Sequence, residues 1–440
     1  MPKLTIIQAT GYRYPHSRIP NKFRKRKLVG AVMPYLAALA PPEWDVTLVD
    51  DAVEEVDYDL PADVVAITVR SVTSFRAYEL AHEFRKRGVT VLMGGPHATF
   101  HAEEMGEHAD GVCIGECEEI FPRMLEDAAA GRLKQFYRRD TPADLAGMPM
   151  PRWELLNPKH YVFYRPNVIQ YSRGCPYTCD FCAERRLNGD YGYRYRPTED
   201  VVEEIKRCGS RHIFFAASQF AGNPKRTQEF MEALIPLEIH WSALFSPRFC
   251  LDGKFLDVAK RSGLLHVNMG LESVDRETLD SMSKNFNRID VEAVIRNLSE
   301  RDISYSFNFV FGSDTEDASV FEATREFLMK YKVPAAYFNV MTPLHGTPLF
   351  QRMKDEGRLL DEPNMERWPG VTCHFRPLRF TPDELVDRVS ELHCDFYSFR
   401  SMLRRLPFPT TFAKMASWNV NWEQNKVARN IDSKQEFSDF

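Results

Sequence analysis

The chain has 440 residues, 44% of them apolar and 27% charged, with a formal net charge of −5. At about 150 residues per domain this length suggests two or three domains; the composition excludes a disordered chain, and the slightly acidic balance speaks against general affinity for nucleic acid. The longest apolar stretch, Leu28 to Pro42, is interrupted by Pro34 and falls short of the roughly 18 residues a membrane span needs. The opening residues, MPKLTIIQATGYRYPH, lack the apolar core of a secretory signal, so a cytoplasmic location is expected.

Residues 4–10 (LTIIQAT) read as a buried strand, 29–39 as a helix, and 46–50 and 64–69 as strands. A helix over about 75–87, a strand over 89–95, a short strand over 111–115 and a helix over about 118–130 follow. Short apolar runs between helical stretches predict a parallel sheet covered on both faces. Such sheets bind ligands beyond the carboxyl ends of their strands. Those ends carry Thr10-Gly11, Ser71-Val72-Thr73, Gly94-Gly95-Pro96-His97 and Gly115-Glu116. Residues 134–166 read as a connector broken by prolines at 142, 149 and 151.

A second alternating series starts at Asn167. Strands are expected at 167–172, 212–217, 240–245, 266–271, 306–312 and 336–341, with helices between most of them, including one over 197–208 capped by Thr198. Six such strands predict a partial (β/α) barrel with an open side, since a closed one needs eight units. From Thr381 the pattern is helical, and the tail after Ala413 is polar and expected to be poorly ordered.

The nine cysteines are odd in number and accompany no export signal, which argues against a disulfide framework. Cys175-Pro-Tyr-Thr-Cys179-Asp-Phe-Cys182 places three of them directly after a strand. Three thiolates this close can hold three corners of a [4Fe–4S] cube, whose full cysteine ligation needs four, leaving one iron open to another ligand. A structural zinc site is the alternative. It closes with a fourth Cys or His, and no paired partner follows at a suitable distance; Cys208, His160 and His212 are isolated.

The CxxxCxxC loop, with Phe181 before its last cysteine and a partial barrel behind it, resembles the radical SAM superfamily. In order along the chain, His212-Ile-Phe-Phe, Phe220-Ala-Gly-Asn-Pro224, Gly270-Leu-Glu-Ser273, Asn308-Phe-Val-Phe-Gly312, Thr342-Pro-Leu-His-Gly-Thr-Pro348 and Asp355-Glu-Gly-Arg358 are similar to the subclass with an N-terminal cobalamin-binding domain, the branch of hopanoid C-2 methylase and anaerobic Mg-protoporphyrin cyclase. The resemblance implies that Cys175, Cys179 and Cys182 hold a [4Fe–4S] cluster whose open iron takes S-adenosylmethionine (SAM), which is cleaved to a 5′-deoxyadenosyl radical. It suits SAM contacts from Glu272 and Ser273 at a strand end and from Arg248 to the SAM carboxylate; a helix N-cap Ser beside a solvated Glu, and a plain surface cation at Arg248, are the alternatives. The branch carries Asp-Asp-Asn where this chain has Ala217-Ser218-Gln219; here Ser218 and Gln219 offer neutral acceptors instead. His345 stands where the branch has Pro and reads as a turn residue, with proton transfer or a substrate contact as the alternative.

For the N-terminal domain the resemblance implies cobalamin, held by Thr10, Ser71, Thr73, Gly94, Gly95, His97, Gly115 and Glu116. The DxHxxG signature is absent and His16, His97, His101 and His108 lack its spacing, which implies a base-off corrin without a His ligand or a domain that has lost cobalamin. The expected division is a Rossmann-like, flavodoxin-like α/β domain over 1–140, a linker over 141–166, the radical SAM barrel over 167–375 and a helical region with its tail over 376–440. The expected function is C-methylation of an unactivated carbon of a small-molecule or lipid-like substrate, with an external donor of flavodoxin or ferredoxin type; an oxidative cyclase or rearrangement enzyme is the alternative. Phe309, Tyr337, Phe338 and Trp368 can line an apolar pocket or simply pack the core.

Overall fold

The computed structural model describes residues 1–13, 17–162, 166–284, 289–361 and 370–432. They form two compact units, one of residues 1–170 and 184–210 and one of residues 171–183 and the chain from Arg211 onward. His16 and Trp368 lie outside the described residues.

The sheet of the first unit contains β1 (Lys3–Gln8), β2 (Asp45–Asp50), β3 (Val64–Thr68), β4 (Thr90–Gly94), β5 (Gly111–Ile114) and β6 (Phe136–Arg138), in the order β2-β1-β3-β4-β5-β6. Every neighbouring pair is parallel, and the first five strands have the flavodoxin-like order. Successive side chains of a strand point to opposite faces, so each strand feeds two cores. Leu4, Ile6, Val64, Ala66 and Leu92 pack with Met33 and Ala37 of helix Val32–Leu39 and with Phe121, Met124 and Leu125 of helix Ile120–Ala129. Ile7, Val65, Ile67, Val91 and Met93 pack on the other face with Ala77, Leu80, Ala81 and Phe84 of helix Ser74–Lys86.

The segment expected as a connector is built into this unit. It supplies β6, a strand of three residues too short to show an alternating pattern. Beyond β6, the Ala143 amide donates to Glu116 Oε2 at 2.7 Å, and the Arg152 amide donates to the Pro34 carbonyl at 3.0 Å.

Along the rest of the chain come β7 (Val168–Gln170), the two-residue strands β8 (Ser172–Arg173) and β9 (Arg194–Tyr195), then β10 (His212–Ala216), β11 (His240–Phe245), β12 (Leu264–Glu272), β13 (Ser304–Phe311) and β14 (Ala335–Val340). The second large sheet has the order β14-β13-β12-β11-β10-β7, the six strands expected of a partial barrel. Strands β10 to β14 are parallel in simple succession. Asn223, Asp252 and Asp290 cap three of the intervening helices through their side chains. Thr198 does not act this way: helix Thr198–Cys208 has Pro197 at its N-cap and Thr198 as its first residue.

Three helices close the chain: Pro382–Phe396, Phe399–Arg405 and Phe412–Asp432. The last corrects the expected loose tail, of which residues 433–440 lie outside the described residues. Its sequence looks unsuited to packing because the side it buries is mostly small or polar: Ala413, Ser417, Asn421, Gln424, Asn425 and Ala428, with Val427 beside them. Those polar groups are matched. Asn421 Nδ2 donates to the Pro334 carbonyl at 2.7 Å, Asn425 Nδ2 to the Tyr397 carbonyl at 2.7 Å, and Ser417 Oγ lies 2.8 Å from Ser304 Oγ. The buried Arg405 guanidinium ties the layer together by donating to the Val333 and Phe396 carbonyls and to Asn421 Oδ1.

Behind Ser304 sits His266, with Nδ1 2.9 Å from Ser304 Oγ and Nε2 3.0 Å from Ser306 Oγ. Desolvation lowers its pKa from 6.5 to about 4. A group whose folded pKa is depressed gives stability above its unfolded pKa that is lost as pH falls. The unfolding free energy is therefore expected to fall by up to about 3 kcal/mol between pH ~6.5 and ~4 on account of His266. Denaturant melts across that window check this, and His266→Gln should flatten the slope.

Candidate functional site

The cysteine loop is fixed by its backbone. Cys182 N–H donates to the Cys179 carbonyl at 3.3 Å, and Asp180 N–H to the Met282 carbonyl at 3.3 Å. The Asp180 carbonyl accepts from Leu349 N–H at 3.1 Å, and Asp180 Oδ2 meets Arg352 Nη1 at 3.2 Å. Helix Pro348–Asp355 and the turn after helix Arg276–Ser281 thus clamp Asp180, the first of the two residues between the second and third cysteines. The three thiols are graded in access: Cys182 is exposed, Cys175 and Cys179 half-buried. Burial pushes the Cys179 thiol up to about 12, against the opposing pull of Lys284.

Among the described residues no three His, Cys, Asp or Glu side chains converge on a single metal ion. A cubane makes no such demand, because each thiolate binds a different iron. Three soft sulfur donors on one loop fit a [4Fe–4S] cluster and are the residues that would hold it.

Beside the loop stands a buried ion pair, Glu272 with Lys284. The β12–β13 register shifts between Gly270 and Glu272, and Glu272 has φ of 70°. A bulge re-aims a side chain, and a left-handed non-glycine residue costs about 1 kcal/mol or more. The strained turn brings the carboxylate back over Gly270, where a Cβ would lie 2.2 Å from Glu272 Oε1 and 2.8 Å from Lys284 Nζ. Lys284 Nζ also stands 5.8 Å from the centre of the Phe181 ring. Lys284 and its partnership with Glu272 were missed from sequence. A lysine in a loop twelve residues on carries no periodic signal, and the helical turn between them is what folds it back.

A second buried carboxylate sits at the end of β13. Glu316 Oε2 accepts from Gly312 N–H at 2.8 Å and Ser313 N–H at 3.1 Å, while Oε1 is buried without a hydrogen-bond partner. Desolvation raises its pKa to about 7, with Asp275 adding to the shift and the two amides and Ser273 opposing it. This residue, too, went unnoticed in the sequence.

The remaining expected SAM contacts follow the carboxyl ends of the adjacent strands β10, β11 and β12. Gln219 is buried, and its Oε1 accepts from Ser246 N–H at 3.1 Å, tying the turn after β10 to the turn after β11. Ser218 and Arg248 are exposed. Ser273 is buried and its hydroxyl accepts from Asp275 N–H at 3.2 Å. His345 packs on the Phe350 ring at 4.4 Å. Phe309 is fully buried, and Tyr337 and Phe338 are half-buried.

In the first unit, Gly94, Gly95 and Gly115 line a cavity of about 110 Å³ together with Val32, Leu36, Thr68 and Cys117. Gly95 is required there: its φ is 109° and a Cβ would lie 2.7 Å from the Val69 carbonyl oxygen. The polar residues expected around it are engaged internally. His97 Nδ1 is 3.0 Å from Ser71 Oγ and its Nε2 3.0 Å from Tyr78 OH. Thr73 Oγ1 bonds both backbone groups of Arg70, Thr10 Oγ1 donates to the Asn21 carbonyl, and Arg194 grips both oxygens of Glu116. An apolar cavity reaching glycines at strand ends fits a large ligand laid against the backbone.

The radical SAM superfamily profile matches residues 169–328 and the B12 binding domain profile residues 33–125. The chain is a radical SAM enzyme with an N-terminal B12-binding domain. Its cofactors are accordingly a [4Fe–4S] cluster, SAM and cobalamin. It is 29% identical over 408 residues to bacteriochlorophyllide d C-12(1)-methyltransferase of Chlorobaculum tepidum, covering 90% of this chain and 88% of that protein. It is 27% identical to the anaerobic magnesium-protoporphyrin IX monomethyl ester cyclase of Cereibacter sphaeroides, over 78% of this chain and 61% of that protein. The fold matches the radical S-adenosylmethionine methyltransferase TsrM of Kitasatospora setae, with cobalamin and [4Fe–4S] cluster bound, at a TM-score of 0.70 and 15% identity, covering 98% of this chain and all of that one.

Removing one partner of a buried ion pair strands the other charge at a cost of about 3–5 kcal/mol. Lys284→Met is expected to destabilise the protein by about 3 kcal/mol. The double variant Glu272→Gln/Lys284→Met should regain most of that loss. Denaturant melts of the three proteins check it.

Proposed function

We propose that the protein is a cobalamin-dependent radical SAM C-methyltransferase acting on an unactivated carbon of a small-molecule or lipid-like substrate. The observation that carries this reading is the pairing of a three-cysteine loop with a glycine-lined strand-end cavity in one chain, in a sequence aligned over 90% of its length with a methyltransferase. When bound, the cluster and SAM supply hydrogen-atom abstraction and the cobalamin supplies the methyl group.

The chain's own residues bind and orient. Cys175, Cys179 and Cys182 hold the cluster, and Asp180, locked by Arg352 and the Leu349 amide, keeps their loop in place. Glu272, aimed by the β12 bulge and held by Lys284, presents acceptor oxygens to the ribose hydroxyls of SAM. Lys284 is a buried cation next to the loop and is better placed than the exposed Arg248 to face the SAM carboxylate. Gly94, Gly95 and Gly115 let the corrin approach the first sheet. His97 is spent on Ser71 and Tyr78, which supports cobalamin bound without a histidine ligand. The reductant is external, of flavodoxin or ferredoxin type. We place the enzyme in the cytoplasm; among the described residues no helix is long and apolar enough to cross a membrane.

The alternative is oxidative cyclisation or rearrangement without methyl transfer, favoured by the alignment with the cyclase. Anaerobic incubation with methyl-labelled SAM, reductant and cell extract separates the two. A product carrying the label, together with its loss in Cys182→Ala, is expected. An unlabelled product whose mass has dropped by hydrogen alone would establish the cyclase reading. In the same preparation the Co(II) form of the cobalamin should show no nitrogen hyperfine splitting in its electron paramagnetic resonance spectrum; a nitrogen-split spectrum would show an axial nitrogen, from a histidine or from the cofactor's own base, and overturn the base-off, histidine-free reading.

A further inference from the structure

We propose that the C-terminal segment from Phe399 to Arg429 docks the enzyme on an anionic lipid surface, lying on the membrane without entering it as a span. The proposal is independent of the methyl-transfer reading. It begins from the inverted character of helix Phe412–Asp432. The side turned to the barrel is mostly small and polar, as described above, and the side turned to solvent carries large apolar groups. Met415 is 48% exposed and Trp422 50%, with Trp418 half-buried between them. Spacings of three and four residues put these three on one stripe.

The stripe continues past the helix. Trp418 Nε1 donates to the Pro407 carbonyl at 2.8 Å, which sets the Leu406–Thr411 turn against it. That turn raises Phe408, 81% exposed, between two prolines. Phe399 and Leu403, on helix Phe399–Arg405, are more than half exposed. A monomer rarely leaves so many large apolar side chains in water along one segment.

Within the segment the charges are mostly of one sign, while helix Pro382–Phe396, packed against it, carries the exposed acids Asp387, Glu391 and Asp395. From Phe399 to Arg429 the side chains reaching solvent include Arg400, Arg404, Lys414, Lys426 and Arg429, against Glu423 alone. Asp302, which touches the segment from a neighbouring turn, accepts from Thr411 Oγ1 at 2.9 Å. This basic cluster stands on a chain whose net charge is −5. Aromatic and aliphatic side chains ringed by Arg and Lys make the composition of an interfacial anchor. A second copy of the chain is disfavoured, because a two-fold contact would set this basic patch against itself. A group that protrudes as far as Phe408 suits a fluid apolar layer better than the preformed pockets of a protein partner.

The anchor also has an orientation. Phe412 stacks on His212 and His240, the first residues of β10 and β11, with ring centres 5.5 and 5.3 Å apart. Ser417 meets Ser304, the first residue of β13. The helix therefore covers the amino ends of the barrel strands. A docked protein turns the carboxyl ends of those strands, where Glu272 lies, away from the lipid.

The test is sedimentation of the full-length protein with phosphatidylcholine vesicles, with and without about one third phosphatidylglycerol. Binding is expected to the anionic vesicles, to weaken as salt is raised, and to be near background on the neutral ones. Phe408→Ser/Trp422→Gln should reduce binding by at least about tenfold, and Arg400→Gln/Arg404→Gln by about fivefold for each arginine. All four residues are exposed, and unchanged thermal melting confirms that the variants fold. Equal binding to both vesicle types, or no binding to either, overturns the proposal. So does a solution dimer that the Phe408→Ser/Trp422→Gln variant splits, or capture of an acidic protein in place of lipid.

Discussion

Three thiolates cannot saturate a four-iron cube. That shortfall turns a cysteine loop from a structural staple into a site with an open coordination position, and in the function proposed above the surroundings of Cys175, Cys179 and Cys182 serve to keep it so. The loop is clamped through Asp180, by the Leu349 amide on one side and the Met282 carbonyl on the other, which fixes the sulfurs without adding another sulfur ligand. The buried ion pair beside the loop, Glu272 with Lys284, is held by a strained turn at the end of β12. Backbone strain of this kind persists where the surroundings over-determine it and is concentrated at functional sites.

The two ends of the barrel strands divide the labour. Carboxyl ends carry the strained turn at Glu272 and the buried carboxylate Glu316, with its orphan oxygen. Amino ends carry what holds the fold: His266 between two serines, Ser304 against Ser417, and Arg405 bound to backbone carbonyls. The same separation lets an outer apolar surface form on the last helix without intruding on the chemistry.

Much of this was legible in the sequence because it is written in short-range pattern. The buried runs at Leu4, Val64 and Val91 announce strands covered on both faces, and the cysteine spacing announces the cluster. What escaped was written in long-range geometry. Lys284 gains meaning only when a helical turn returns it to Glu272. β6 is too short for periodicity to register. The last helix looked like a loose polar tail because its packing surface is Ser417, Asn421, Gln424 and Asn425, residues that a hydrophobic pattern assigns to solvent. At the first sheet the glycines lie at the strand ends, whereas His97 is bonded to Ser71, Thr73 to Arg70 and Glu116 to Arg194, commitments that only the folded geometry reveals.

The central claim is an iron with a vacant position that SAM fills. Electron paramagnetic resonance of the reduced, reconstituted protein tests it most directly, recorded before and after SAM is added. A reduced-cluster signal whose g-values shift on addition of SAM is the predicted result, since the ligand binds the cluster itself. A signal that SAM leaves unchanged, or a protein that holds zinc and gives no cluster signal at all, would contradict the account.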